Sequence, residues 1–284
     1  MRSLLRIAGF AGHLLVVAAA VVAMLVATSR FAYPPLRVGL VAMVVVLSAV
    51  TLFGRFPLGL GPVAGSATAW IVRMVGIVLA GAGAVGVAFG LAQGGSESER
   101  AGSGVPLYTV VLAVYLGAFL AVSRRDGGLP PRAMLTGVGL GLLAGALFAA
   151  AVPILPPGLI GLVLLLAASA PAVAGWLTRP AEVGVLSALL ATVTGCQTVF
   201  FAAAVLYQYG PDAWMPYAGP GPLTPQGQLE QNRAEAIDPF VSVLFLGAVA
   251  ATVLVAMALK ARLHARAATS VPRADGQAGS LLAG

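Results

Sequence analysis

The chain has 284 residues, of which 60% are hydrophobic and 9% charged, with a net charge of +7 and a mean hydropathy of +0.99. A water-facing globule carries about 25% charged and about 45–50% apolar residues, so this composition excludes a soluble domain and requires lipid as the solvent. The excess of 16 basic over 9 acidic residues is read as the Lys/Arg enrichment of cytoplasmic loops, and nucleic acid is not an expected partner.

A bilayer core about 30 Å thick needs ~20 apolar residues per helical crossing. Taken in chain order, such stretches fall at 7–28, 36–53, 70–92, 105–122, 133–151, 158–177, 183–208 and 240–259. Turn-forming pieces separate them at 33–35, 94–104, 124–128, 153–157 and 178–180. Lipid admits only helices or closed barrels. Apolar runs without period-two alternation exclude the barrel. The expected fold is therefore all-α: a polytopic helical bundle of about eight transmembrane helices, one domain over 1–260, with a basic, disordered tail over 261–284. The first apolar run exceeds the roughly 7–15 residues of a signal peptide and no small-x-small cleavage site follows it, so it reads as an uncleaved first span.

With the N-terminus in the cytoplasm, the inner side collects twelve of the sixteen basic residues and three of the nine acidic ones. The positive-inside rule then places both termini in the cytoplasm. Aromatic residues agree: Trp70 and Trp176 fall at inner span ends, whereas Tyr33, Tyr108, Tyr207, Tyr209, Trp214 and Tyr217 fall near outer ones. Only Tyr115 lies mid-span. Fifteen of the sixteen bases are Arg, which with the Gly, Ala and Pro usage points to a GC-rich bacterial coding sequence and hence an inner cell membrane.

The outer loop 209–239 is the one sizeable water-facing feature. Thr224 before Pro225 predicts a helix start, with a helix over 226–237 that ends before Asp238-Pro239. Glu230 and Arg233 are spaced to pair on it. The loop is either a surface helix closing the last hairpin or a partner-docking element. At the other end, Lys260, Arg262, Arg266 and Arg273 are expected to anchor the last span on anionic lipid. A weak echo links Pro34-Pro35-Leu36-Arg37-Val38-Gly39-Leu40 with Pro156-Pro157-Gly158-Leu159-Ile160-Gly161-Leu162, consistent with two parallel four-span halves or with chance in apolar sequence.

Helices in lipid associate through close packing of small residues. Gly137, Gly141 and Gly145 recur every four residues in the fifth span, and Ala82, Gly86 and Gly90 do so in the third; both sets are predicted packing faces. Pro171 is expected to kink the sixth span. No Asp or Glu lies near the centre of any span, and Arg73 and Arg37 lie close enough to span ends to snorkel to water. His13, about 10 Å into the first span, is the only deeper ionisable candidate. The seventh span is the most polar, with Ser187, Thr192, Thr194, Cys196, Gln197 and Thr198. Ser187, Thr194 and Thr198 share one helical face, with Gln197 near the middle of the span. These residues, with His13, are candidates either for interhelical hydrogen bonds or for a path lined for a neutral solute.

The sequence holds no clustered His, Cys and carboxylate set for a metal, no paired aspartates for Mg²⁺, and no phosphate loop, nucleophile elbow or zincin helix. No metal and no cofactor is expected, and Cys196, being alone, has no internal disulfide partner. The leading expectation is a non-catalytic transport component, permease-like or a membrane subunit, for a neutral or hydrophobic compound, working with another membrane subunit or a separate ATPase. The alternative is an accessory or sensory membrane protein that binds a partner through loop 209–239. An enzyme at the lipid interface has the least support.

Overall fold

The computed structural model describes residues 2–27, 29, 34–55, 66–93, 104–124, 129–214 and 225–269. Among them there is no strand. The elements are α1 (Arg2–Ala27), α2 (Pro34–Arg55), α3 (Ala67–Gln93), α4 (Val105–Val122), α5 (Pro131–Ala151), α6 (Pro157–Leu177), α7 (Ala181–Tyr209) and α8 (Pro225–Thr269), with one 3₁₀ turn at Asp212–Trp214. Helices α2 to α8 are each long and apolar enough to cross a bilayer, and α1 contributes a shorter apolar stretch, Val17–Val26. The chain is a polytopic helical membrane protein.

Proline sets many of the starts. Its missing N–H costs nothing in a first turn, where the amides have no intrahelical partner. Pro34, Pro131, Pro157 and Pro225 open α2, α5, α6 and α8, and Pro106 stands at the second position of α4. The Pro-Pro echo is thus one helix-start signal used twice. The packing of the halves differs: α2 lies on α4 in the first, whereas α5 lies on α7 in the second.

α7 is the hub of the second half, packed on α5, α6 and α8, while α4 joins α2 and α3 in the first. The halves meet where α3 and α4 reach α5, α7 and α8. Here Val111, Tyr115, Phe119, Met134, Leu190 and Val193 share one buried cluster. The outer surface carries large apolar side chains, among them Leu15, Leu165 and Leu246. In water that arrangement would be costly; in lipid it is the expected boundary.

One expectation changes. The predicted outer helix and last span are one 45-residue helix, about 67 Å long at 1.5 Å per residue, which runs through Pro239 and on to Thr269. Proline cannot donate to the helical ladder and strains the preceding residue, so flanking anchors must hold this continuity. On one flank Phe240 stacks on Phe148 and Tyr207 with ring centroids 5.1 and 5.8 Å apart. On the other, Arg233 is clamped by Nη1 to Tyr207 O (2.7 Å) and Gln208 O (3.0 Å), and by Nη2 to Gly210 O (2.9 Å) and Asp212 Oδ1 (2.6 Å). Arg233 therefore caps the end of α7 and pairs with Asp212. Tyr207, two residues before the end of α7, is buried against Phe240. Pro171 lies inside α6, where the sequence placed it. The Thr224 cap, the turn-rich 215–224 and the tail beyond Thr269 fall outside the described residues.

Candidate functional site

The two sequence patterns read separately, a glycine face on the fifth span and a hydroxyl face on the seventh, lie against each other. A Cβ on Gly137 would stand 2.6 Å from Ser187 O, one on Gly141 2.7 Å from the Thr194 Cβ, and one on Gly145 would collide with the Thr198 hydroxyl. Glycine is required at these three crossings because α7 backbone, or at Gly145 the β-branched Thr198 side chain, stands where a Cβ would lie. The hydroxyls complete the seam: Ser187 Oγ donates to Ala133 O at 3.0 Å, and Thr198 Oγ1 lies 3.2 Å from Gly141 O while also reaching Thr194 O in its own helix at 2.9 Å. The α5 backbone thus lies directly along Ser187, Thr194 and Thr198.

What the seam leaves over is chemically distinct. Gln197 is 1% exposed and donates from Nε2 to Val193 O at 3.0 Å, yet its Oε1 has no hydrogen-bond partner. Thr194, fully buried, has an Oγ1 with no partner either. The two residues are one helical turn apart and neighbour each other on the helix surface. A buried acceptor left unsatisfied costs about 1–3 kcal/mol.

Beside it, on another face of α7, Cys196 and Tyr115 of α4 converge on Gly247 of α8, where a Cβ would meet both the phenol oxygen and the Cys196 sulfur. The Tyr115 hydroxyl donates to Leu244 O at 2.5 Å. This contact ties the first half to the last helix. Its signal in the sequence was the single mid-span tyrosine, because a phenol buried in an apolar span must find an acceptor.

On α3 the close approaches belong to Gly76, where a Cβ would collide with Phe119, and Gly83, where it would stand 2.8 Å from Leu112 Cδ2. Gly86 is exposed, with Phe201 Cε1 3.9 Å away from the equivalent position. The surroundings of Gly90 and the His13 side chain on α1 lie outside the described residues.

Arg73 does not snorkel. It is 4% exposed and donates from Nε to Ser123 Oγ at 3.0 Å and from Nη2 to Leu120 O at 3.2 Å. The last carbonyls of α4 lack intrahelical donors and form the negative end of its dipole. A guanidinium seated there satisfies both. No protein-family description, curated protein or solved structure matches this chain.

Proposed function

We propose that the protein is a non-catalytic transport component of the cell membrane, permease-like or a membrane subunit, for a neutral compound. The observation that supports this reading is the pair of unsatisfied buried oxygens, Thr194 Oγ1 and Gln197 Oε1, on the helix at the hub of the bundle. A neutral amide and hydroxyl favour an uncharged guest with hydrogen-bond donors over an ion, since no carboxylate lies near the centre of any span to balance a cation. Energy for directed transport would then come from a partner, such as a separate ATPase, rather than from a membrane-embedded carboxylate. Both termini are proposed to face the cytoplasm, on the strength of the basic-residue asymmetry.

The test is flux of a panel of uncharged solutes into proteoliposomes carrying the purified chain. Gln197→Leu combined with Thr194→Val should cut the rate by about tenfold, the equivalent of one or two lost hydrogen bonds at ~1.4 kcal/mol per decade, while the protein still inserts. Equal flux in the variant overturns the reading, and no flux above empty vesicles for any solute overturns its permease-like form, in which the chain acts without a partner.

The second reading, an accessory or sensory protein recognising a partner through its outer segment, is favoured by the Arg233 clamp. It holds the start of α8 against the end of α7 as a fixed surface.

A further inference from the structure

The face where α3 begins and α4 ends carries two guanidiniums with different tasks. Arg73 is spent on the end of α4: it binds Ser123 Oγ and Leu120 O, and the Ser123 hydroxyl in turn donates to Phe119 O at 2.7 Å. That arrangement satisfies the carbonyls and the dipole that would otherwise attract the nearest cation. The next residue is Arg124. It is half-buried, and its Nε is buried without a hydrogen-bond partner.

An arginine keeps its charge at any accessible pH and offers five donors in a planar fork. A buried donor of that fork calls for an acceptor, and charge-assisted pairing with a phosphate or carboxylate is the strongest it can make. Depth narrows the choice. Ser123 directly follows the apolar window Val105–Val122, and Trp70, three residues before Arg73 on α3, is 49% exposed, as expected of an indole at headgroup level. An acceptor reaching this position from the membrane is a lipid phosphate, and its leaflet is the one whose surface potential favours clustered arginine.

We propose that Arg124, beside the α4 terminus held by Arg73 and Ser123, binds the phosphate of an anionic lipid headgroup. The purified full-length chain in detergent is titrated with phosphatidylglycerol, phosphatidylcholine or inorganic phosphate. Thermal midpoint and lipid retained in native mass spectrometry are read. Phosphatidylglycerol should raise the midpoint by several degrees with one molecule retained, and the other two additives should do neither. Arg124→Gln should weaken the apparent affinity about tenfold or more. Arg132→Gln, which removes an exposed cation at the start of α5, should titrate as the wild type. An unchanged titration in Arg124→Gln overturns the proposal, and so does an equal loss in Arg132→Gln, which marks general surface attraction. Inorganic phosphate matching the lipid overturns it in favour of a free anion. Should Arg124→Gln fail to accumulate, Arg124→Lys carries the test, since it keeps the charge and loses the Nε donor; wild-type affinity there overturns the proposal.

Discussion

Gly141 shows how little freedom a single position has in this bundle. Its missing side chain lets α7 approach until Thr194 Cβ, Ala191 O and Gly195 N all stand within 3 Å of where a Cβ would lie. Two of those atoms are backbone and cannot rotate away. Gly141→Val should therefore destabilise by about 1–3 kcal/mol, the usual penalty for overpacking, visible as a lowered midpoint in a size-exclusion thermal-shift assay. Gly139 has nothing within 4 Å of its Cβ direction, so Gly139→Ala should leave that midpoint unchanged. Loss of stability at both positions would show that the seam does not set the response, since alanine only raises helix propensity over glycine. Losing the hydroxyl at Ser187 removes one interhelical hydrogen bond, worth ~0.6 kcal/mol on average in a membrane, so Ser187→Ala should be far milder than Gly141→Val.

At the scale of elements, α8 is the instructive case. Asp238-Pro239 is a strong stop signal by local rules, and the predicted helix ended there because a proline ring excludes the hydrogen bond back to the previous turn. The helix continues because distant residues hold both sides: Phe240 in the aromatic group with Phe148 and Tyr207, and Arg233 on the carbonyls that end α7. Those partners are 21 to 26 residues from Arg233, beyond any window that reads local pattern. Arg233→Ala should raise amide hydrogen exchange at 207–214 and 225–237 by at least about tenfold, given ~1.5 kcal/mol or more for hydrogen bonds to a charged group. Exchange confined to wild-type rates would mean that the aromatic contacts alone keep the extension in place. The glycine seam behaves oppositely. Its two halves were each visible as four-residue spacing, yet nothing local says that α5 and α7 are the helices that meet.

For the whole molecule, four helices long and apolar enough to cross lie between residue 127 and the segment after α8, so the bundle predicts both on one side of the bilayer. Reporter fusions at 127 and after Thr269 should give the same cytoplasmic readout, and opposite readouts would refute both the crossing count and the bundle built on it. The side itself rests on the asymmetry of Arg and Lys. The unsatisfied Thr194 and Gln197 belong to this scale too, because they are isolated only once α4, α5 and α8 have closed around α7.

Composition and apolar run length alone determined that this is a helical membrane protein and where its long apolar helices lie, because lipid enforces backbone pairing within each segment and so makes secondary structure a local property. Which helices touch, why Arg73 turns inward onto α4, how Pro239 is tolerated, and which polar atoms remain without partners were decided by tertiary structure. Packing in lipid depends on shape matching between faces far apart in the chain, and apolar residues, alike in hydropathy, carry almost no sequence record of which neighbour they will meet.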